Sequence, residues 1–172
     1  FRRMLVAYHF LRRLGRRVTI ARAGQPIPAN VKTLVVAGAA LLRSEAAELE
    51  RWVRAGGHVV WSAPHLHAWD PAYDAMIGAR PVDIRHPKPV TVHAFGRDWT
   101  VRNHPAEGRT AVEPTTATVL ATSAEGTPEI LANVHGRGKV VAALPLAEET
   151  VASLAGDREA RDAWMGWYEG LL

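Results

Sequence analysis

His65, His67, Asp70 and Asp74 form the closest approach in this sequence to a metal-ligand set, because two imidazoles one residue apart can share a coordination sphere with a carboxylate. They follow the apolar run His58–Ser62, and so fall at a strand end, where open α/β sheets bind ligands. The same spacing is common in solvated loops, and Asp70-Pro71 is a natural start for a turn or helix, so no metal ligand is assigned. Ser62 could serve as a nucleophile with His65 or His67 as its base. However, Val60-Trp61-Ser62-Ala63-Pro64 lacks the flanking glycines that let a nucleophile elbow adopt its strained turn, so no catalytic residue is assigned either.

His135-Gly136-Arg137-Gly138-Lys139 offers glycine N–H groups and a lysine, the raw materials of a phosphate cradle. Walker spacing is absent, Val140 takes the hydroxyl position, and apolar runs on both sides predict a hairpin turn instead. No cofactor-binding residue is assigned. Glu148 and Glu149 are adjacent acids, which spacing alone does not make into a general acid and base, and solvated carboxylates are expected.

The charge is segregated. Arg2, Arg3, Arg12, Arg13, Arg16 and Arg17 come with no acid among the first 17 residues, so the rest of the chain sums to −2 of the total +4. That body does not read as a nucleic-acid binder. The basic first segment could approach anionic lipid, yet an amphipathic helix packing its apolar stripe on a sheet explains it without a membrane. With no cysteine, disulfides, thiolate metal sites and a cysteine nucleophile are excluded.

The 172 residues, 48% hydrophobic and 22% charged, suit one soluble globular domain and exclude a disordered chain. The longest stretch without Asp, Glu, Lys or Arg, 55–69, is too short for a membrane-spanning helix. The chain opens on Phe1 with no apolar secretory core behind it, and so is expected to be a mature product, an excised piece or a fragment. No compartment is read from it.

The elements that would position these residues alternate between strand and helix. Phe1, Met4, Leu5, Tyr8, Leu11 and Leu14 recur at helical spacing before a terminating Gly15. Val18 to Ala21 is expected as a short strand, and Thr33 to Ala37 as a buried one. Ser44 is placed as the N-cap of a helix whose apolar face is Leu49, Trp52 and Val53, ended by Gly56-Gly57. With His58–Ser62 beyond it this makes a βαβ unit, whose strands should be parallel. From Pro81 short runs at Val90–Phe95, Trp99–Arg102, Thr118–Thr122, Ile130–His135 and Val140–Leu144 predict antiparallel strands or hairpins. A last helix is expected over Asp157–Leu172, with Trp164, Trp167, Tyr168 and Leu171 on its docking face.

The order of Leu14-Gly15, the run Val31 to Ala37, Ser44 to Leu49, and Trp52-Val53-Arg54-Ala55-Gly56-Gly57-His58-Val59-Val60 resembles the class I glutamine amidotransferase-like, flavodoxin-like fold. With Gly126-Thr127-Pro128 and Gly136-Arg137-Gly138-Lys139-Val140 it is similar to the trimerisation domain of bacterial β-galactosidases of the A4 type. The N-terminal half also resembles a bacterial domain of unknown function often tethered between membrane helices. The resemblance implies a three-layer sandwich, a parallel sheet with an antiparallel β extension over about 81–146, in a single domain 1–172 lacking the strand that would precede the first helix. It implies a non-catalytic assembly domain of a glycoside hydrolase-like protein, its partner a neighbouring subunit or catalytic barrel, oligomeric only in the full-length parent. The alternatives are a binding domain of a membrane-tethered protein and a small serine or metal hydrolase. Interface anchors expected for the assembly role are Trp69 and Tyr73, then Trp164 and Trp167.

Overall fold

In the computed structural model the described residues are 2–38, 41–62, 71–85, 88–102, 109–154 and 156–172. Helix α1 (Arg2–Arg13) buries Ala7, Phe10 and Leu11, and Gly15 ends it at φ +72°. The buried face is turned from the expected stripe. Leu5 and Tyr8 are exposed, because Arg3, Ala7, Phe10 and Leu14, spaced four, three and four apart, face the sheet and α4 (Ala147–Ser153).

Strand β1 (Thr33–Ala37), helix α2 (Arg43–Arg54) and strand β2 (His58–Ser62) form the expected βαβ unit, with Thr33 opposite His58 and Ala37 opposite Ser62 in parallel register. The N-cap is Leu42, not Ser44. The Glu45 carboxylate accepts the Leu42 backbone N–H at 2.7 Å, so an acid three positions inside secures the N-cap residue's own N–H, a different donor from those a capping serine would accept. The expected strand at Val18–Ala21 does not form: residues 16–22 join no ladder, and among the described residues β1 pairs with β2 alone.

Beyond β2 come helix α3 (Pro71–Ile77) and strands β3 (Ala79–Arg85), β4 (Val90–Ala94), β5 (Arg97–Val101), β6 (Arg109–Pro114), β7 (Thr118–Ser123), β8 (Pro128–His135) and β9 (Gly138–Ala143). One seven-stranded sheet runs β1-β2-β9-β8-β7-β4-β5, while β3 and β6 pair separately. Strand β9 lies parallel to β2 and antiparallel to β8, so the parallel and antiparallel halves are one surface. Both hairpins close through two-residue loops: Phe95 and Gly96, both at positive φ, join β4 to β5, and Gly136, at φ +64°, opens the turn from β8 to β9.

Helix α4 is followed by α5 (Arg158–Ala163) and α6 (Met165–Leu171). The single C-terminal helix expected over Asp157–Leu172 is therefore two. Three-residue hydrogen bonds at Trp164 offset them, and the step sets Trp164 and Trp167 together against Trp99, with ring centroids 5.0 and 5.5 Å from it. Apolar side chains from α1, α4 and α6 cover one face of the sheet, and those from α2 and α3 cover the other. This is the α/β three-layer sandwich with a mixed sheet.

Candidate functional site

Ser62 closes β2 with β1 on one side and β9 on the other, at the carboxyl ends of the three parallel strands. The chain leaving β9 turns through Leu144, Pro145 and Leu146 into α4, which carries Glu148 beneath that end. Ser62 Oγ donates to Glu148 Oε2 at 2.5 Å, and the Tyr168 hydroxyl from α6 donates to Oε1 at 2.7 Å. All three side chains are buried, Glu148 to 1% exposure and Ser62 to 2%.

Burial pushes the Glu148 carboxyl above its ordinary range, against the lowering effect of the Ser62 and Tyr168 hydrogen bonds and the Arg3 charge. Burial likewise raises the Tyr168 phenol, helped by the neighbouring carboxylate, so it stays a donor. Glu148 is placed to take a proton from Ser62, but a carbonyl carbon cannot reach an Oγ sealed this deeply. The trio acts as a fastener between strand end, α4 and α6.

Around it α1 is tied down by its arginines. Arg3 Nε donates to Glu149 Oε1 at 2.9 Å and its Nη1 to the Gly38 carbonyl at 3.0 Å, while Arg2 donates to the Ala152 carbonyl at 2.7 Å. Arg13 forms a two-pronged pair with Asp162. Half of the six N-terminal arginines therefore bond to this fold.

His135 to Lys139 is a clasp on α2. Arg137 N–H donates to the Arg54 carbonyl at 3.1 Å, Lys139 N–H to the Gly57 carbonyl at 3.2 Å, and His135 Nε2 lies 2.9 Å from Glu50 Oε1. The N–H groups of Arg137 and Lys139 in this run are spent on the protein's own carbonyls.

Of the other expected residues, His65, His67, Trp69 and Asp70 lie outside the described residues. Asp74 is on α3, and among the described residues no group of three or more His, Cys, Asp or Glu converges as a metal would require. Three of the expected interface anchors are corrected. Tyr73 packs on Trp61 inside the α2–α3 layer and donates to the Leu41 carbonyl at 3.2 Å, and Trp164 and Trp167 are buried under β5; each side chain is consumed by the domain's own core. Glu148, expected in solvent, is the buried acid, and Glu149 beside it is the one paired at the surface. Position in α4 decides between them, which adjacency in sequence does not reveal.

A cavity of about 530 Å³ opens beside β1, between α1 and α2 and across from residues 21–25.

The family described as "Domain of unknown function (DUF4350)" matches residues 4–146. No curated protein matches the sequence. Among solved structures, the exo-β-1,4-mannosidase Op5Man5 from Opitutaceae bacterium strain TAV5 is 30% identical, with a TM-score of 0.93 over 99% of this chain and 31% of its own. A cold-adapted β-galactosidase from Rahnella sp. R3 is 16% identical, with a TM-score of 0.65 over 88% of this chain and 26% of its own. Cytoplasmic protein STM1381 from Salmonella typhimurium LT2 is 13% identical, with a TM-score of 0.66 over 96% of this chain and 86% of its own. The chain thus spans less than a third of either glycosidase. The fold is the amidotransferase-like one that the sequence resembles, as found in β-galactosidases.

Proposed function

The chain belongs to the DUF4350 family, and from that premise we propose that it is a non-catalytic assembly domain of a longer glycoside hydrolase-like protein. The observation that carries this reading is the near-complete likeness to one portion of a longer mannosidase. The burial of Ser62 on Glu148 supports it, since the strand end at which this sheet would hold a ligand is filled by the chain's own side chains. Its partner is a neighbouring subunit or the catalytic barrel of the parent.

The test is light scattering of the parent protein with and without residues 1–172, alongside turnover of chromogenic mannoside and galactoside. Deletion should lower the oligomer's mass, and the 172-residue chain alone should release no chromophore. An unchanged mass would remove the assembly role. Turnover by the isolated chain that disappears in Ser62→Ala would instead make it a hydrolase.

A second reading, a binding domain of a membrane-tethered protein, follows from the resemblance of the N-terminal half to a bacterial domain of unknown function, and is compatible with a family match that spans residues 4–146. A parent carrying an apolar span of roughly 20 residues in place of a barrel would select it.

A further inference from the structure

The amino ends of the three parallel strands carry a row of exposed side chains that the domain itself does not use. Register sets Thr33 of β1 opposite His58 of β2, His58 opposite Lys139 of β9, and Lys139 opposite Val134 of β8. All four lie on one face. Side chains alternate along a strand, and Val35, Val60, Val141 and Ala132, each two positions further into the sheet, pack in the core beneath α1, α4 and α6. Leu34, Val59 and Val140, the residues between, pack on the opposite side. The row therefore continues the face that α1, α4 and α6 cover, yet each of its members is exposed, Val134 to 76%.

Neighbouring strands lie about 4.8 Å apart, so a hydroxyl, an imidazole and an ammonium stand side by side across roughly 10 Å, with an isopropyl group at the end. Among the described residues none of the three polar side chains has a hydrogen bond or an ion pair. More positive charge stands around the same end. The Lys32 carbonyl accepts the His58 N–H at 3.1 Å, and the Arg137 N–H donates to the Arg54 carbonyl at 3.1 Å, close to Gly57, whose own carbonyl takes the Lys139 N–H at 3.2 Å. The Glu50 carboxylate, one turn before Arg54 on α2, is already engaged by His135 at 2.9 Å and Arg54 at 3.6 Å. Lys32 and Lys139 have no carboxylate partner among the described residues.

This end is opposite to the one at which such a sheet holds a ligand, so the row is an open surface and not the floor of a crevice. A nucleic acid or a charged bilayer is engaged through a run of cations. Here a hydroxyl and an apolar side chain share the row with one ammonium. Apolar contact beside polar donors is the composition of a protein interface, and the sign of the charge calls for carboxylates opposite.

We propose that Thr33, His58, Lys139 and Val134 form the face by which this domain meets its partner, and that the partner presents an acidic protein surface. Its carboxylates lie opposite Thr33, His58 and Lys139, and an apolar side chain lies against Val134. The inference rests on the assembly reading and gives that role a place on the domain.

Light scattering of the parent with Lys139→Glu or His58→Glu tests it, with Lys139→Arg and, ahead of β4, Lys88→Glu as controls. Each reversal should raise the dissociation constant of the assembly by about tenfold or more, and both controls should leave it within about twofold. The wild-type assembly should weaken as salt rises. Unmoved urea midpoints of the 172-residue chain in both reversals separate a lost contact from a lost fold. Reversals that leave the assembly intact, where deletion of residues 1–172 dissolves it, would overturn the proposal while the assembly role stands. An assembly indifferent to the deletion would end both. Sedimentation of the 172-residue chain with vesicles of phosphatidylserine and phosphatidylcholine, abolished by Lys139→Glu, would also overturn it, by making a lipid surface the occupant.

Discussion

Ser62 and Glu148, 86 positions apart, meet in a 2.5 Å hydrogen bond where β2 ends and α4 begins. Tyr168 completes the carboxyl's second oxygen, so one side chain joins a strand and two helices. The bond explains why a serine at a strand end is not poised for chemistry: its proton is directed into the protein.

Glu148 makes stability depend on pH in a direction opposite to that of most carboxylates. Burial raises its folded pKa above the ordinary 4.5, so the native state holds the proton more tightly than the unfolded chain. The stability this contributes is fully present below 4.5 and is lost as pH rises through the raised value. Glu148→Gln keeps an acceptor and a donor for the two hydroxyls and removes the titration. Urea unfolding from about pH 4 to about pH 9 should show the wild type losing stability that the variant keeps. Parallel curves would mean that Glu148 does not titrate in this range.

The turn between β8 and β9 should be intolerant of any side chain at Gly138. A Cβ there would lie 2.1 Å from the Val53 carbonyl and 2.2 Å from that of Gly57, both backbone atoms that cannot swing away. Gly138→Ala should cost more than about 3 kcal/mol, above the usual range for overpacking, as read from its urea midpoint. Gly126→Ala, a control with open space but positive φ, should cost much less.

Asn133 is the buried polar residue that fixes α3. Its amide donates to the carbonyls of Ala75 and Met76 at 3.1 and 3.0 Å, and its oxygen accepts from Thr116 at 3.0 Å. Asn133→Ala leaves the last turn of α3 without these donors and should cost about 1 to 3 kcal/mol. Asn133→Asp should cost more, because it turns a carboxylate oxygen on two carbonyls. Thermal unfolding of both variants checks the order.

The βαβ unit was readable because its cues are local: an apolar run, a periodic helix and a double glycine lie within 30 residues. The hairpins at Phe95-Gly96 and Gly136 were readable for the same reason, their turns being written in adjacent residues. Val18–Ala21 reads as a strand on its local pattern alone, and a local pattern does not tell whether a ladder partner lies alongside; residues 16–22 join none. The β3–β6 pair was missed because Arg80-Pro81 and the charged Asp83 and Arg85 mask a strand that lies outside the main sheet. The Glu148 trio was illegible for a different reason. It joins positions 62, 148 and 168, and no spacing rule connects three elements that only tertiary packing brings together.

Trp167 decides how any assembly experiment must be read. It is fully buried, touching Trp99, Trp164 and Phe95 with centroids 5.5, 5.6 and 5.9 Å away. Truncation to alanine removes those ring contacts together with the largest apolar surface of α6, and should cost about 3 to 5 kcal/mol. An oligomer lost in Trp167→Ala would therefore report an unfolded domain and not a broken interface. Exposed apolar residues are the fair probes: Val82 and Ile84 on β3, and Val134 on β8. Each changed to serine should leave the urea midpoint of the 172-residue chain within about 0.5 kcal/mol of wild type. Loss of the parent's oligomer in one of these, with the midpoint unmoved, would locate the contact surface; loss only in variants that also unfold would mean that none of the three residues lies on it.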